Sequence, residues 1–322
     1  MIKTLEVKNF KSIKDLKLDC KRINIFIGEP NTGKSNILET LGIFSWGGYT
    51  GYGSLNNFVR FEAMSNLFYD EVLDSNVEIK FDDKILEIKS ENERFRGKGI
   101  DGKHLFNFDY DYAGQGSCGS SGGYVSSFKF YRFAIKRDFP KKESTFLLPP
   151  SGENLFAVLR AHKELKSLAS QIFSPFGFKL VFEPQENRIK LLKEYEDIFI
   201  FYPYSLASDT LQRLVFYLVA IDSNKDSIIA FEEPESHAFP YYTKYLAEVI
   251  ALDKNNNQYF ISTHNPEFLL SILEKSPKED VAVFITYFKD YQTKVKPLSE
   301  KQLEEAMEID VFFNIERFLE EG

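Results

Sequence analysis

The octapeptide Gly28-Glu29-Pro30-Asn31-Thr32-Gly33-Lys34-Ser35 constrains this chain more than any other feature. It has the form G-x-x-x-x-G-K-[ST]. It stands between Ile23-Asn24-Ile25-Phe26-Ile27, which reads as a buried strand, and a segment with Ile37, Leu38 and Leu41 on one helical face. Strand, glycine-bearing turn and helix in that order make a cradle for phosphate. The glycines let the backbone turn tightly and bring N–H groups against phosphate oxygens, and the helix N-terminus adds partial positive charge. Lys34 supplies a point charge for the β- and γ-phosphates, and the Ser35 hydroxyl is a ligand for Mg²⁺. Asn31, Thr32, Gly33 and Asn36 complete the expected nucleotide contacts, with ATP and Mg²⁺ as the expected cofactors.

A phosphate loop of this kind needs carboxylates at the end of a neighbouring strand. Ile228-Ile229-Ala230-Phe231-Glu232-Glu233-Pro234 provides them. The apolar run carries Glu232 to a strand end, where it can hold Mg²⁺, and leaves Glu233 as the general base for an attacking water. Gln258-Tyr259-Phe260-Ile261-Ser262-Thr263-His264 is a further strand. It ends in a histidine able to hydrogen-bond the γ-phosphate or that water.

Between and beyond these motifs the chain alternates. A helix is expected over Leu211–Ile221, strands over 227–231, 258–262 and 281–287, and helices over 240–252 and 266–275, with two short acidic helices in 300–322. Such alternation argues for a largely parallel sheet with helices on both faces. Residues 46–203 read less clearly. Val77–Phe81 and Ile85–Ile88 suggest a hairpin about Asp82-Asp83, residues 113–123 a flexible Gly/Ser loop, and Ser151–Gln171 a helix capped by Ser151. The expected division is a nucleotide-binding core of residues 1–45 and 204–322 and an inserted lobe of residues 46–203.

The order of motifs resembles one branch of the ABC-type ATPases, the SMC/RecF/OLD-like group. Asn9-Phe10-Lys11-Ser12 matches its N-F-[KR]-S opening. Tyr204-Ser205-Leu206-Ala207-Ser208-Asp209-Thr210-Leu211-Gln212-Arg213 resembles its degenerate signature, and Pro149-Pro150-Ser151-Gly152-Glu153-Asn154-Leu155 a stretch of OLD-like members. The resemblance implies an α/β P-loop NTPase of ABC type, with a mostly parallel sheet core, an antiparallel N-terminal β part and an inserted helical/β lobe. It implies that Lys11, Ser12, Ser208 and Asp209 belong to the nucleotide site. It implies an ATP hydrolase that forms a head-to-tail homodimer around two ATP molecules, with DNA or a separate effector or nuclease protein as partner, in DNA maintenance or phage defence.

The departures from the family pattern are local. Asp209 replaces the usual signature glycine, Phe239 stands where related proteins often have His, and none of Gln115, Gln171 and Gln185 has the context of a Q-loop. An N-cap role for Asp209 is set against one as a repulsive neighbour of a partner's γ-phosphate. Asp209 also keeps open a second reading, a nucleotide-gated switch with little hydrolysis. The Asn-Phe-Lys-Ser opening and the missing L-S-G-G-Q argue against a transporter subunit. No heptads are present, and the 58 residues after His264 are too few for a Toprim nuclease domain, so a stand-alone ATPase is expected.

Composition narrows the partners. A net charge of −8 argues against a wholesale basic coat for nucleic acid. The basic segment 129–142, with Phe130, Tyr131, Phe133 and Phe139 interleaved, and Lys3, Lys8, Lys11, Lys14 and Lys17 on the first strands are the candidate nucleic-acid surfaces. The longest apolar run, Leu214–Ile221, is eight residues, which excludes a membrane-spanning helix. With two cysteines in no metal-ligand spacing and no apolar leader, the expected location is the cytoplasm.

Overall fold

The computed structural model describes residues 1–49, 53–121 and 125–320. In chain order its elements are β1 (Thr4–Phe10), β2 (Ile13–Asp19), β3 (Ile23–Ile27), α1 (Lys34–Gly47), β4 (Val77–Phe81), β5 (Lys84–Glu91), β6 (Arg94–Asp101), β7 (His104–Tyr110), β8 (Gly116–Ser120) and β9 (Phe128–Tyr131). There follow α2 (Leu155–Ala161), α3 (Lys163–Phe173), β10 (Phe178–Glu183), β11 (Arg188–Tyr195), β12 (Ile198–Pro203) and α4 (Asp209–Ser223). The remainder is β13 (Ile228–Glu232), α5 (Pro240–Ala251), β14 (Gln258–Ser262), α6 (Pro266–Lys275), β15 (Val281–Lys289), β16 (Gln292–Pro297), α7 (Glu300–Glu305) and α8 (Ile315–Glu320).

Residue contacts divide the chain into two compact units: 1–130 with 226–233 and 258–322, and 131–225 with 234–257. The first reaches well beyond residue 45, the boundary expected from the sequence. The reason is strand pairing: β4 pairs with β1, and the order β2-β1-β4-β5-β6-β7-β8 makes residues 77–120 one antiparallel sheet with the N-terminus.

The first unit also holds a six-stranded sheet, β16-β15-β3-β14-β13-β9. β3 pairs in parallel with β14 and with β15, and β14 in parallel with β13. All five residues of β3 are buried, as a central parallel strand requires. Phe26 of β3 stacks on Phe284 of β15 at 5.2 Å and on Phe260 of β14 at 6.4 Å. Helix α1 contacts β13 and β14, while Phe44 on it meets Phe81 of β4 at 5.3 Å and Phe106 of β7 at 5.7 Å. A helix covered on both sides must be apolar all round, and every residue from Ile37 to Gly47 is buried. Much of the high aromatic content, 32 Phe among it, is used in this packing. Truncating Phe44 would cost about 3–5 kcal/mol.

The second unit packs α4 against α3 and α5, with the antiparallel sheet β10-β11-β12 contacting α3 through β10. Ten residues of α4 are buried in one run, Leu211–Ile221 apart from Arg213. The helix expected over Ser151–Gln171 is two helices, broken at His162, whose backbone is extended at φ −111°, ψ 105°. The first begins at Leu155 rather than beside Ser151. Asn154 precedes it, accepting from Leu148 N at 2.8 Å and donating to Glu143 O and Phe146 O.

The expected hairpin about Asp82 is present as β4–β5. The Asp82 carboxylate accepts from Lys3 N and Thr4 N, bonds that hold it below its ordinary pKa against the opposing effect of burial. The expected loop 113–123 is otherwise. Residues 116–120 form β8, paired with β7 from Phe106↔Ser120 to Tyr110↔Gly116, because ladder hydrogen bonds compensate a sequence with little strand propensity. Gly122 and Gly123 lie outside the described residues. Among the described residues, no helix is long and apolar enough to cross a membrane.

Candidate nucleotide site

Strand β3 ends at Ile27 and the phosphate loop turns into α1. Its glycines are required by space as well as by backbone angle. Gly28 has φ +144°, and a Cβ there would lie 2.2 Å from Thr286 O. Gly33, the α1 N-cap at φ +96°, would place a Cβ 2.1 Å from Thr293 Oγ1. Thr286 and Thr293, on β15 and β16, thus press the loop into shape, and neither carries a sequence signal. Thr32 bonds Thr286 Oγ1 at 2.7 Å and Glu29 O at 2.8 Å. Asn31 is exposed in a left-handed conformation, φ 63°, and Ser35 is half-buried in the first turn.

Lys34 is buried, and its ammonium donates to Gly28 O at 2.8 Å and Glu29 O at 2.7 Å. Burial pushes its pKa down to about 8, with Glu233 and Glu29 opposing. No acid lies in the first turn of α1, so the positive end of the helix dipole is uncancelled there.

The strand order corrects one expectation: the carboxylates do not sit on a strand next to the loop strand. β14 lies between, so the histidine strand flanks β3 and the Glu232-Glu233 strand comes one further out. The ends are nonetheless level, through the register Glu232↔Ser262 and Ser262↔Phe26. Glu233 follows β13 at φ 42° with its N–H donating to Ser262 O at 3.0 Å, an unusual backbone for a non-glycine residue. Its carboxylate lies 3.4 Å from His264 Nε2. Burial, and then the Lys34 charge, hold His264 below its usual pKa, so it is neutral at pH 7.

A charge network beside the loop had no signal in the sequence. Glu39, buried on α1, ion-pairs with Lys11 and accepts from Arg60 Nε at 2.8 Å. Arg60 in turn reaches Glu232 Oε1 at 2.7 Å. A buried carboxylate requires such partners. Ser12 Oγ lies 2.7 Å from Thr293 Oγ1 and accepts from Asn36 Nδ2 at 2.7 Å. An open cavity of about 670 Å³ is lined by Lys11, Ser12, Asn56, Arg60 and Phe61 among others.

The first unit therefore gathers Lys11, Ser12, residues 31–36, Glu232, Glu233 and His264. Ser208 and Asp209 belong to the second unit. There the N-cap of α4 is Ser208, not Asp209. Asp209 is the first helical residue and accepts from Arg213 Nε at 2.7 Å, with the Arg213 guanidinium 4.7 Å from the Phe133 ring. The side chain found its partner four residues on, one turn along the same face.

The candidate nucleic-acid surfaces change character. Phe130, Tyr131 and Phe139 are buried and Phe133 packs on Phe216 at 5.6 Å, so these rings are core and not a stacking platform. Lys129 is buried against Tyr49. Lys17 pairs with Glu6 at 2.8 Å, and Lys80 and Lys89 on the same sheet pair with Glu78 and Glu87.

The pattern of the family described as "AAA ATPase domain" matches residues 1–194. That described as "AAA domain, putative AbiEii toxin, Type IV TA system" matches residues 126–271. An uncharacterised protein of Methanocaldococcus jannaschii, MJECL10, is 32% identical over 122 residues, 31% of this chain and 52% of that protein. The chain thus spans about half the length of this curated relative. Among solved structures, an Smc head bound to the C-winged helix domain of ScpA is similar with TM-score 0.55 and 16% identity, over 94% of this chain and 99% of that one. The Smc head domain with an extended coiled coil, bound to the C-terminal domain of ScpA derived from Pyrococcus furiosus, is similar with TM-score 0.55 and 15% identity, over 95% and 98%. The fold is SMC-head-like, a mixed α/β fold with parallel and antiparallel strands, and the chain belongs to the AAA ATPase domain family.

Proposed function

We propose that this chain binds Mg-ATP and hydrolyses it. The observation that carries the reading is the level alignment of three strand ends in one parallel sheet: the phosphate loop after β3, His264 after β14 and Glu232-Glu233 after β13. Gly33, Lys34 and the α1 amides take the phosphates, with Asn31 and Thr32 shaping the loop. The cavity beside Lys11 and Ser12 has room for the nucleoside. The donor set suits magnesium: a hydroxyl, Ser35, and a carboxylate, Glu232, are hard oxygen ligands, and magnesium takes few protein ligands in phosphate sites. Bound there, the ion would neutralise charge on the β- and γ-phosphates. Glu232 would exchange its Arg60 contact for it.

Glu233 is the general base. Its side chain is accessible to water, and His264 beside it can hydrogen-bond and orient that water. In the dimer we propose, the signature of one copy, Ser208 and the α4 N-terminus, faces the nucleotide of the other, and ATP turnover drives a DNA-associated or effector-associated process. Phosphate release measured with Mg-ATP and with EDTA tests the core of this reading. Magnesium-dependent turnover is the expected result. Tight binding without phosphate release would instead establish a nucleotide-gated switch.

A further inference from the structure

Strand β12 closes one edge of the three-stranded sheet, and among the described residues no strand but β11 pairs with it. Its sequence, Ile198-Phe199-Ile200-Phe201-Tyr202-Pro203, bears no charge, and all of it is exposed. Ile198, Phe199 and Phe201 are more than half accessible, at 59, 60 and 52%. Three edge strands of the two larger sheets are blunted, and β10, the other edge of this sheet, carries Lys179 and Glu183. β2 carries Lys14, Asp15, Lys17 and Asp19, β16 carries Lys294, Lys296 and Pro297, and β8 is small and polar, Gly-Ser-Cys-Gly-Ser. β12 has only its terminal proline.

We infer that β12 is a homotypic docking edge, at which two copies of this chain pair antiparallel about a two-fold axis at Ile200, without nucleotide. The strand's own pattern selects a second copy as the occupant. An isologous contact needs a self-complementary surface, and Ile-Phe-Ile-Phe-Tyr reads nearly the same in both directions about its centre. Pairing centred on Ile200 sets Ile200 against itself, Phe199 against Phe201 of the second copy twice, and Ile198 against Tyr202 of the second copy. Each is an aromatic or β-branched cross-strand pair. No like charges on the strand are opposed, and two three-stranded sheets become one of six.

The strand carries a continuous exposed apolar surface. The five side chains from Ile198 to Tyr202 expose about 450 Å². Tyr202 also lines an apolar cavity of about 550 Å³ with Phe176, Leu206 and Phe239, each at least half exposed. With these residues the apolar patch extends beyond the strand itself, toward the roughly 800 Å² per partner of a stable interface. The net charge of −8 makes two copies repel at a distance, so added salt should strengthen this contact, where it would weaken a charged one.

Sedimentation of the full chain in EDTA without nucleotide, over an about 100-fold concentration range, tests the inference. A monomer–dimer equilibrium favoured by salt is expected. Ile200→Lys opposes two ammonium groups across the axis and should weaken it about 100-fold or more, with ATP affinity by calorimetry unchanged. Since that variant could also perturb folding, Ile200→Cys in a Cys118→Ser background gives a second reading. Residues facing each other in an antiparallel pair have Cβ atoms about 4.5–5.5 Å apart, near disulfide reach. Mild oxidation should therefore give a covalent dimer, and Leu252→Cys, exposed elsewhere on the same unit, should not. A wild-type chain that stays monomeric over the whole range overturns the inference and leaves the ATPase reading intact. So does a dimer that persists in Ile200→Lys or fails to cross-link through position 200.

Discussion

Two helix N-termini in this molecule use the same dipole in opposite ways. Helix α1 begins after a left-handed glycine, has no acid in its first turn and holds buried Lys34 against the loop carbonyls. Helix α4 begins after Ser208 and at once presents Asp209, whose carboxylate is paired to Arg213. The first leaves its amides and its cation to an incoming anion. The second already has an anion of its own at the positive end. A helix start after a turn is therefore not enough to make a phosphate site. The identity of the charge in the first turn decides whether the dipole is available.

The largest effect should come from the acid that follows β13. Glu233→Gln keeps the shape and removes the proposed base, so phosphate release should fall by about 10²–10⁴-fold while calorimetry still finds ATP bound. Full turnover in this variant would move the base to Glu232 or Glu235. Next comes the cation. Lys34→Ala should lose a charge-assisted contact of about 1.5–3 kcal/mol, read as about 10- to 100-fold weaker ATP binding, and unchanged affinity would reject α1 as the site.

A pH series sharpens the same point. Burial lowers Lys34 to about 8, so the empty site loses its positive charge as pH rises through that value. ATP affinity should decline from pH 7 to pH 9.5, with proton uptake on binding at the alkaline end, and Lys34→Ala should flatten the profile. The sign for stability is opposite. Between about pH 8 and the unfolded lysine value near 10.4, the unfolded chain binds the extra proton, so this group's contribution to the stability of the ligand-free chain rises with pH.

The smallest effect belongs to α4. Asp209→Asn removes the carboxylate from the dipole and from Arg213, at a cost of about 0.5–1 kcal/mol and a melting temperature a few degrees lower. ATP-driven dimerisation followed by light scattering should stay nearly unchanged. Dimerisation at much lower ATP would show that the carboxylate acts as a brake on assembly, and the contrast between the two helices would then be regulatory as well as structural.

The site was legible where its chemistry sits on contiguous residues. Gly28–Ser35, Glu232-Glu233 and Thr263-His264 each combine an apolar run with polar groups at its end, so period and motif agree. Glu39 and Arg60 were illegible because they meet across 21 residues and neither belongs to a pattern. Strands β6–β8 and β10–β12 were missed for a related reason. In β6–β8, β10 and β11 the alternation is diluted by charged or small residues, β12 is a short apolar run with no alternation to read, and strand preference depends on the neighbours that pairing supplies. The aromatic residues of 128–139 carried a composition signal that suits stacking and core alike, and only burial distinguishes the two.

By itself the sequence determined that a glycine-bearing loop with a lysine stands between a strand and a helix, because glycine, lysine and a helix start act within a few residues of one another. It determined equally that acid and imidazole arrive at strand ends, since an apolar run has to stop where its charge begins. The tertiary structure decided which strands are neighbours, placing β14 between loop and carboxylates. It decided that Thr286 and Thr293 press against the two loop glycines and that, among the described residues, β12 pairs with β11 alone. These are outcomes of non-local pairing and packing. Their energies depend on groups far apart in the chain, and no local pattern encodes which of those groups will meet.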